Sequence, residues 1–521
     1  MFPLSLAFFA SAFAAVLLVP IVRFIAVRIG LVDRPDAERK LHGQPIALAG
    51  GVAVFASLLI GIWVPLGLQM RWQYAIPVNM DAQRWFVLLG ALIAILIVGL
   101  IDDKWSLRGR QKLLAQCLIA MVVVGSGTSL DEISLLGLSI PLGVFALPFS
   151  VLWLLLCINA LNLLDGADGM ATTVGIFISG ALAMISFLHG SLPLITMTAF
   201  ALCGALVGFL VYNRPPASIF LGDAGSMMVG LLIGVLSMWC QHKETTAFAA
   251  APLAILVLPL FDSVAAILRR WLTGRSLYAT DRGHMHHLLN ERFGRVGTLW
   301  VVAAACLLSS STAIASVWLK QSWLAPVGAL IVLTVFVGTR TFGYSELRLV
   351  AGRARHLLIS FSLRPAVCEQ QKHERVLKLQ GDGPWHDVWE PLIDFAVRQN
   401  LASVIIDVNM AWLQESYHAT WRSVQLPEPA FQSIVRIPLF AAREHSGQSE
   451  RVPIGRLEII ASSNPDSLNR LSDFLEHAAE LQIQVEHVVK QIEEFKRRAL
   501  AKSPGTPNSV SASQNVMSKV S

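Results

Sequence analysis

Long apolar stretches, separated by short polar gaps, fill the first two thirds of the chain, and then the pattern stops. Apolar runs of about 18 or more residues, each about long enough to cross a ~30 Å hydrocarbon core as a helix, recur up to residue 341. Their positions predict helices near 4–27, 46–69, 85–101, 112–127, 141–159, 171–188, 192–212, 224–240, 247–268, 298–318 and 323–341. After residue 341 the periodicity changes. Strand-like runs such as Ala402-Ser-Val-Ile-Ile-Asp-Val, Val435-Arg-Ile-Pro-Leu-Phe and Gly455-Arg-Leu-Glu-Ile-Ile alternate with helical patterns at 385–399 and 466–497.

The pattern predicts an all-α polytopic membrane protein of about eleven transmembrane helices, carrying a C-terminal cytoplasmic α/β domain. Four segments follow: a membrane domain over 1–341, a basic linker over 342–363, the α/β domain over 364–500 and a disordered tail over 501–521. In order the C-terminal domain is only weakly similar to GAF or PAS sensors, which is an analogy at the level of fold. The first apolar run has no basic segment before it and no small-residue cleavage site after it, so it reads as a retained helix.

Composition agrees: of 521 residues 54% are hydrophobic and 15% charged, and the mean hydropathy is +0.59. A net charge of +6 is mostly span-end arginine and lysine and is no nucleic-acid footprint. Arg23, Arg28, Arg34, Arg39 and Lys40 lie in the first gap, Lys104, Arg108, Arg110 and Lys112 in the third, and Arg269 to Arg295 in the ninth. The alternate gaps carry few cations, so the odd gaps are expected inside, the N-terminus outside and the C-terminus inside. Five of the six cysteines fall in apolar spans, and none has disulfide or metal-ligand spacing.

Ionisable groups at span ends are costly and mark sites. The inside gaps hold five polar clusters. The first, Asp33-Arg-Pro-Asp36-Ala-Glu-Arg39-Lys40-Leu-His42 with Gly50-Gly51, reads as an inner-face anchor or a phosphate-binding loop. The second is Asp102-Asp103-Lys104, followed by Arg108, Arg110 and Lys112. Neighbouring helical side chains diverge by about 100°, so the two carboxylates need not share one target and one is free to cap or pair with a lysine; the acidic pair among four cations reads either as metal and phosphate chemistry or as an interfacial ion-pair network. The third is Asn159-Ala-Leu-Asn162-Leu-Leu-Asp165-Gly166-Ala-Asp168-Gly169, whose Asn162, Asp165 and Asp168 would share a face if helical. The fourth is Asn213-Arg-Pro-Pro-Ala-Ser-Ile-Phe220-Leu-Gly222-Asp223-Ala-Gly225-Ser226. Here Asp223 is either an ordinary N-cap or a metal ligand at a helix N-terminus suited to diphosphate. In the fifth, Asp281-Arg282-Gly-His284-Met-His286-His287, His284 and His287 would share a helical face, and the surrounding arginines favour phosphate over zinc.

In order and spacing these clusters resemble the polyprenyl-phosphate N-acetylhexosamine-1-phosphate transferases, a family that includes the phospho-N-acetylmuramoyl-pentapeptide transferase. The resemblance covers about residues 20–300. It implies that a polyprenyl phosphate attacks the sugar-linked phosphorus of a UDP-sugar, releasing UMP, with Mg²⁺ or Mn²⁺ bound by oxygen ligands. By carry-over, Asp223 and Asn162 would hold the metal. Asp102, Asp103, Asp165 and His284 would be catalytic, and Asp168, Gly166, Asn213, Phe220, Arg282, His286, His287, Lys40 and His42 would bind substrate. The first cluster resembles the N-acetylglucosamine type more than the peptidoglycan type. The partners implied are a UDP-sugar, polyprenyl phosphate and the bilayer of a bacterial inner membrane. A homodimer and a ligand of the C-terminal domain stay open. From another class, a transporter also builds sites from polar half-helices, but it would place charge near mid-membrane.

Overall fold

The computed structural model describes residues 2–33, 46–72, 82–135, 138–190, 193–240, 250–273, 283–344, 346–347, 350, 373–380, 384–399, 401–410, 413, 415–423, 432–445, 448–462 and 481–494. The chain divides into two compact units, Met1–Tyr344 and Ser345–Ser521.

The first unit is helical: α1 (Phe2–Arg28), α2 (Gly50–Trp72), α3 (Ala82–Trp105), α4 (Gly109–Gly125), α5 (Ala146–Leu164), α6 (Met170–Leu188), α7 (Pro193–Asn213), α8 (Gly222–Trp239), α9 (Ala250–Ile255), α10 (Val257–Thr273), α11 (Met285–Trp318) and α12 (Leu324–Gly338). Among the described residues, eight helices are long and apolar enough to cross a membrane: α1, α2, α3, α5 with the turn before it, α6, α7, α8 and α11. The other expected spans are shorter or broken. Helix α4 has 17 residues and α12 has 15. The span expected over 247–268 divides at Leu256 into α9 and α10, just before Pro259, whose missing N–H leaves the preceding turn without a ladder bond. The span expected at 298–318 starts earlier, because α11 begins at Met285 and runs across a kink at Gly294 (φ 69°, ψ 173°).

Helix α8 is the centre of the bundle, with every residue from Ala224 to Met238 buried. Small residues let its neighbours come close, as membrane helices require when van der Waals packing drives association. A Cβ on Gly99 of α3 would lie 2.2 Å from Ala224 Cα, and one on Gly51 of α2 would lie 2.3 Å from Gly225 N. The 46–51 segment also bonds directly to the chain entering α8. Phe220 N donates to Ala47 O (2.9 Å), Gly50 N to Phe220 O (3.0 Å) and Gly51 N to Leu221 O (2.9 Å). Two hairpins complete the unit, β1 (Val32–Asp33) with β2 (Ile46–Ala47), and β3 (Glu132–Leu135) with β4 (Leu138–Pro141).

The second unit contains a five-stranded antiparallel sheet in the order β5-β7-β6-β9-β8. Its strands are β5 (His373–Gln380), β6 (Ser403–Met410), β7 (Glu415–Arg422), β8 (Gln432–His445) and β9 (Gln448–Ser462). The expected strands near 402, 435 and 455 are β6, β8 and β9, and the expected helix near 385 is α13 (His386–Arg398). A second helix covers 481–494. Strands β5 and β7 escaped the sequence reading because His373-Glu-Arg-Val and Glu415-Ser-Tyr-His are polar-rich. Among the described residues every strand pairing of this unit is antiparallel. Val404, Ile406 and Val408 alternate with half-buried Ile405, Asp407 and Asn409. The buried set forms a core with Trp389 and Leu392 of α13 and Val485 and Val488 of the last helix.

Candidate active site

One end of the bundle gathers the C-termini of α3 and α5 and the N-termini of α4, α8 and α11. Its focal point is Lys112 in the first turn of α4. The ammonium Nζ lies 2.8 Å from Asp102 Oδ2 and 3.0 Å from Asp223 Oδ2, and it donates to Asn162 Oδ1 at 3.2 Å. Four helices thus supply one cation and three oxygens to a single place. Asn162 completes the arrangement by donating Nδ2 to Asp223 Oδ1 and, at 3.0 Å, to Ser226 Oγ. Asp102 and Lys112 are 8% and 16% exposed, whereas Asp223 is 34% exposed. Asp223 is therefore the acid of this group most open to a ligand.

The Asp102-Asp103 pair divides its work as consecutive helical residues must. Asp102 also accepts from Leu107 N at 2.7 Å, fixing the turn from α3 to α4. Asp103 reaches α8, where its oxygens accept from Asp223 N (2.9 Å) and Ala224 N (3.3 Å). Asp223 is consequently not the N-cap of its helix. Leu221 holds that position without a side-chain bond, and Asp103 supplies from another helix the negative charge that orphan N–H groups and a positive helix end favour. Gly222 takes φ +74°, and a Cβ there would meet Leu48 O at 2.5 Å and Asp103 Oδ2 at 2.7 Å, so glycine is required for this contact.

The Asn162, Asp165 and Asp168 triplet does not share a helical face. Helix α5 ends at Leu164 and Asp165 is its C-cap, while Gly169 at φ 72° precedes α6. Asp165 turns towards Gly222, whose N–H it accepts. Burial, then the neighbouring Asp223 and Asp103 carboxylates, push the Asp165 carboxyl well above the usual carboxylate range, against that hydrogen bond. Asp168 instead accepts from Ala217 N at 3.2 Å and lies 3.9 Å from Arg295 Nη1. Asn213 is 2% exposed. Its Oδ1 accepts from Thr172 Oγ1 (2.6 Å) and its Nδ2 donates to Ile219 O (2.9 Å), so both ends of the amide brace the 213–220 turn. Phe220 is half-buried beside it.

The histidines also depart from the helical-face expectation. His284 is the N-cap of α11, with extended backbone, and its ring stacks on His286, not on His287. The rings form a row instead. His284 stacks on His286 (5.9 Å, 7° between planes), and His286 lies 4.1 Å from His287. His286 is 5% exposed, and its Nδ1 finds no hydrogen-bond partner among the described residues. A Cβ on Gly166 would stand 2.6 Å from His286 Nε2, so the glycine in the α5–α6 turn makes room for this ring. Arg282, Lys40 and His42 lie outside the described residues, as do Asp36, Arg39 and the segment 34–45.

Several residues of the site carried no sequence-level role. Lys112 is one of the cations expected around the Asp102-Asp103 pair, but its part in the network with Asn162 and Asp223 has no sequence signal. Ser226 closes the Asn162 network. Gln116 accepts from Asn159 Nδ2 at 2.9 Å and lies buried beneath it. Asp262, inside an expected span, bonds His284. An acid within an apolar run was the available signal for Asp262.

Among the described residues, no three Asp, Glu, His or Cys side chains form a ready-made metal cage. The donor set nevertheless suits a hard cation. Carboxylate and amide oxygens of Asp102, Asp223 and Asn162 already surround a positive centre, the Lys112 ammonium. Magnesium-type ions take one or two carboxylates and complete their shell with water and substrate phosphate.

The model of glycosyl transferase family 4 matches residues 85–241, the stretch from α3 through α8. The chain is 32% identical over 329 residues to a Bacillus subtilis protein named a probable undecaprenyl-phosphate N-acetylglucosaminyl 1-phosphate transferase, covering 61% of this chain and 88% of that protein. It is 31% identical over 304 residues to the Escherichia coli undecaprenyl-phosphate α-N-acetylglucosaminyl 1-phosphate transferase, covering 55% and 77%. A decaprenyl-phosphate N-acetylglucosaminephosphotransferase of Mycolicibacterium smegmatis is 31% identical over 297 residues, covering 51% and 70%.

Proposed function

The chain belongs to glycosyl transferase family 4, and on that premise we propose that it transfers N-acetylglucosamine 1-phosphate from a UDP-sugar to undecaprenyl phosphate, releasing UMP and starting a lipid-linked glycan. The observation that carries this reading is the meeting of Asp102, Asn162, Asp223 and Lys112 at the N-terminus of α8. Attack by a lipid phosphate on a diphosphate brings several negative charges together, and catalysis consists mainly of positioning them and offsetting their charge. Mg²⁺ or Mn²⁺, held by Asp223 and Asn162, would act there as a Lewis acid on the diphosphate.

The protein's own groups have separable tasks. Lys112 offsets phosphate charge and keeps Asp102 and Asp223 from repelling each other. Asp103 and Asp165 hold the first turn of α8, through the N–H groups of Asp223, Ala224 and Gly222, so that Asp223 is preset. Gly166, Asp168 and Phe220 form the nucleotide side, with Asn213 bracing the turn. The histidine row, with Arg282 before it, meets the diphosphate. A phosphate monoester is already largely ionised near neutrality, so the acceptor needs little help from a base.

The span-end cations support eleven crossings with the active site and C-terminus on the cytoplasmic face of a bacterial inner membrane. In that arrangement the shorter α4 and α12 and the broken α9–α10 also cross. The C-terminal unit is then a cytoplasmic domain.

The test is turnover by the purified full chain in detergent with UDP-N-acetylglucosamine, undecaprenyl phosphate and Mg²⁺, scoring UMP and lipid-linked sugar. Metal-dependent product that disappears in Asp223→Ala is expected. A chain that binds neither substrate and makes no product with any UDP-N-acetylhexosamine or with the muramoyl-pentapeptide donor would overturn the reading.

A further inference from the structure

Asp262 on α10 is fully buried, and a lone carboxylate in such a place is costly unless its oxygens are paired. Both are. Oδ2 lies 3.1 Å from His284 Nδ1, and Oδ1 accepts from Met285 N at 2.8 Å. One carboxylate therefore holds the ring of His284 and the first backbone N–H of α11 together. An ionised carboxylate only accepts, so with Asp262 ionised the Nδ1 of His284 carries the proton of that bond. Among the described residues, two rings and one guanidinium lie around His284. His286 stacks on its ring, with His287 beyond. Arg269 of α10 packs on the adjacent Gly283, where a Cβ would lie 2.7 Å from its guanidinium carbon.

We propose that Asp262 is the positioning residue of His284: it takes the Nδ1 proton in a hydrogen bond and so leaves Nε2 as the ring nitrogen that meets the substrate diphosphate. In the neutral ring Nε2 holds the lone pair. When Nε2 takes a proton, the buried carboxylate offsets the charge, and Nε2–H becomes a donor to a phosphate oxygen. Asp262 touches no substrate in this scheme and acts only through His284. The inference rests on the reading of His284 as a diphosphate contact.

Asp262→Asn is the discriminating change. It preserves volume and still accepts from Met285 N, but its amide donates to Nδ1 and drives the ring to the opposite tautomer. The full chain in detergent is assayed for UMP release as Asp262→Asn, His284→Gln and the double variant, with melting temperatures recorded. We expect Asp262→Asn to lose about 10- to 100-fold in kcat, in the range seen for carboxylate partners of functional imidazoles, with KM for UDP-N-acetylglucosamine nearly unchanged. The double variant should be no worse than His284→Gln alone, since a residue acting through another adds nothing once that one is gone. In ¹⁵N-histidine spectra of the unaltered chain, the signal lost in His284→Gln should show Nδ1 protonated, a readout that does not require the Asn variant to fold. An Nε2–H tautomer in the unaltered chain, or an Asp262→Asn enzyme as active as the wild type beside an inactive His284→Gln, would overturn the role of Asp262. A fully active His284→Gln would instead overturn the underlying reading of His284, and the proposal with it.

Discussion

Replacing Gly99 with alanine adds one methyl group on α3, one turn before Asp102 and directly against the start of α8. The new Cβ would stand 2.2 Å from Ala224 Cα, 2.4 Å from Ala224 N and 2.8 Å from Asp223 C. All three are backbone atoms, so no side chain can swing away. Restoring a separation of ~3.5 Å requires α3 and α8 to part by more than ~1 Å. That opening acts on the residue next to Asp223, and it pulls on the bonds from Asp223 N and Ala224 N to Asp103. Overpacking of this kind costs about 1–3 kcal/mol in stability. A shift of about 1 Å in a positioning group is worth on the order of 100-fold in rate. We therefore expect Gly99→Ala to fold with a lowered melting temperature and to lose roughly 100-fold in kcat, measured as UMP release from UDP-N-acetylglucosamine. Gly90→Ala is the control on the same helix, because nothing lies within 4 Å of a Cβ there and alanine is the better helix former. Its rate should match the wild type. Wild-type turnover and melting in Gly99→Ala would refute the claim that the close approach of α3 to α8 sets the position of Asp223.

Lys112→Met removes the cation shared by Asp102 and Asp223 and leaves two acids facing each other. Turnover should fall by at least about 100-fold, with a stability loss of about 3–5 kcal/mol partly offset where Asp223 meets solvent, and Lys112→Arg should recover part of the rate. Asn213→Ala strips the buried partners from Thr172 Oγ1 and Ile219 O. A loss of about 1–3 kcal/mol in thermal unfolding is expected, with KM for the nucleotide rising more than kcat falls. Asp165→Asn tests the electrostatics of the same end. The folded-state pKa of Asp165 is raised, so the native state holds its proton more tightly than the unfolded state, and ionisation destabilises the fold as pH rises above the unfolded value. In a chelator-containing buffer at pH 7, Asp165→Asn should thus melt above the wild type while losing activity. The gain should shrink as pH falls towards 4; a gain independent of pH would contradict the assignment.

The sequence by itself determined most of the membrane unit. A helix that buries its own backbone bonds needs only length and apolar side chains, so α1, α6 and α7 lie within a residue or two of their expected limits. It also determined which residue types could do the chemistry, since Asp, Asn and His at span ends have few structural excuses. The order of the clusters was enough for the family. What it could not determine was pairing between helices. That Lys112, among the four cations near Asp102-Asp103, is the one shared by Asp102, Asp223 and Asn162 left no trace in the sequence, because those partners lie on three other helices, with Asn162 50 residues away. The Asn162-Asp165-Asp168 spacing looked helical because the break after Leu164 depends on the site into which the turn folds.

Only the tertiary structure decided that Asp103 caps α8 while Asp102 binds Lys112, that Asn213 is spent on its own turn, and that Asp262 stands behind His284. The physical reason is one of range. Backbone hydrogen bonding and hydrophobic periodicity act over a few residues and leave a record in local sequence. A carboxylate chooses among cations and N–H groups according to where whole helices come to rest, and the glycines that allow α3 and α2 to reach α8 act across distances no local pattern can express.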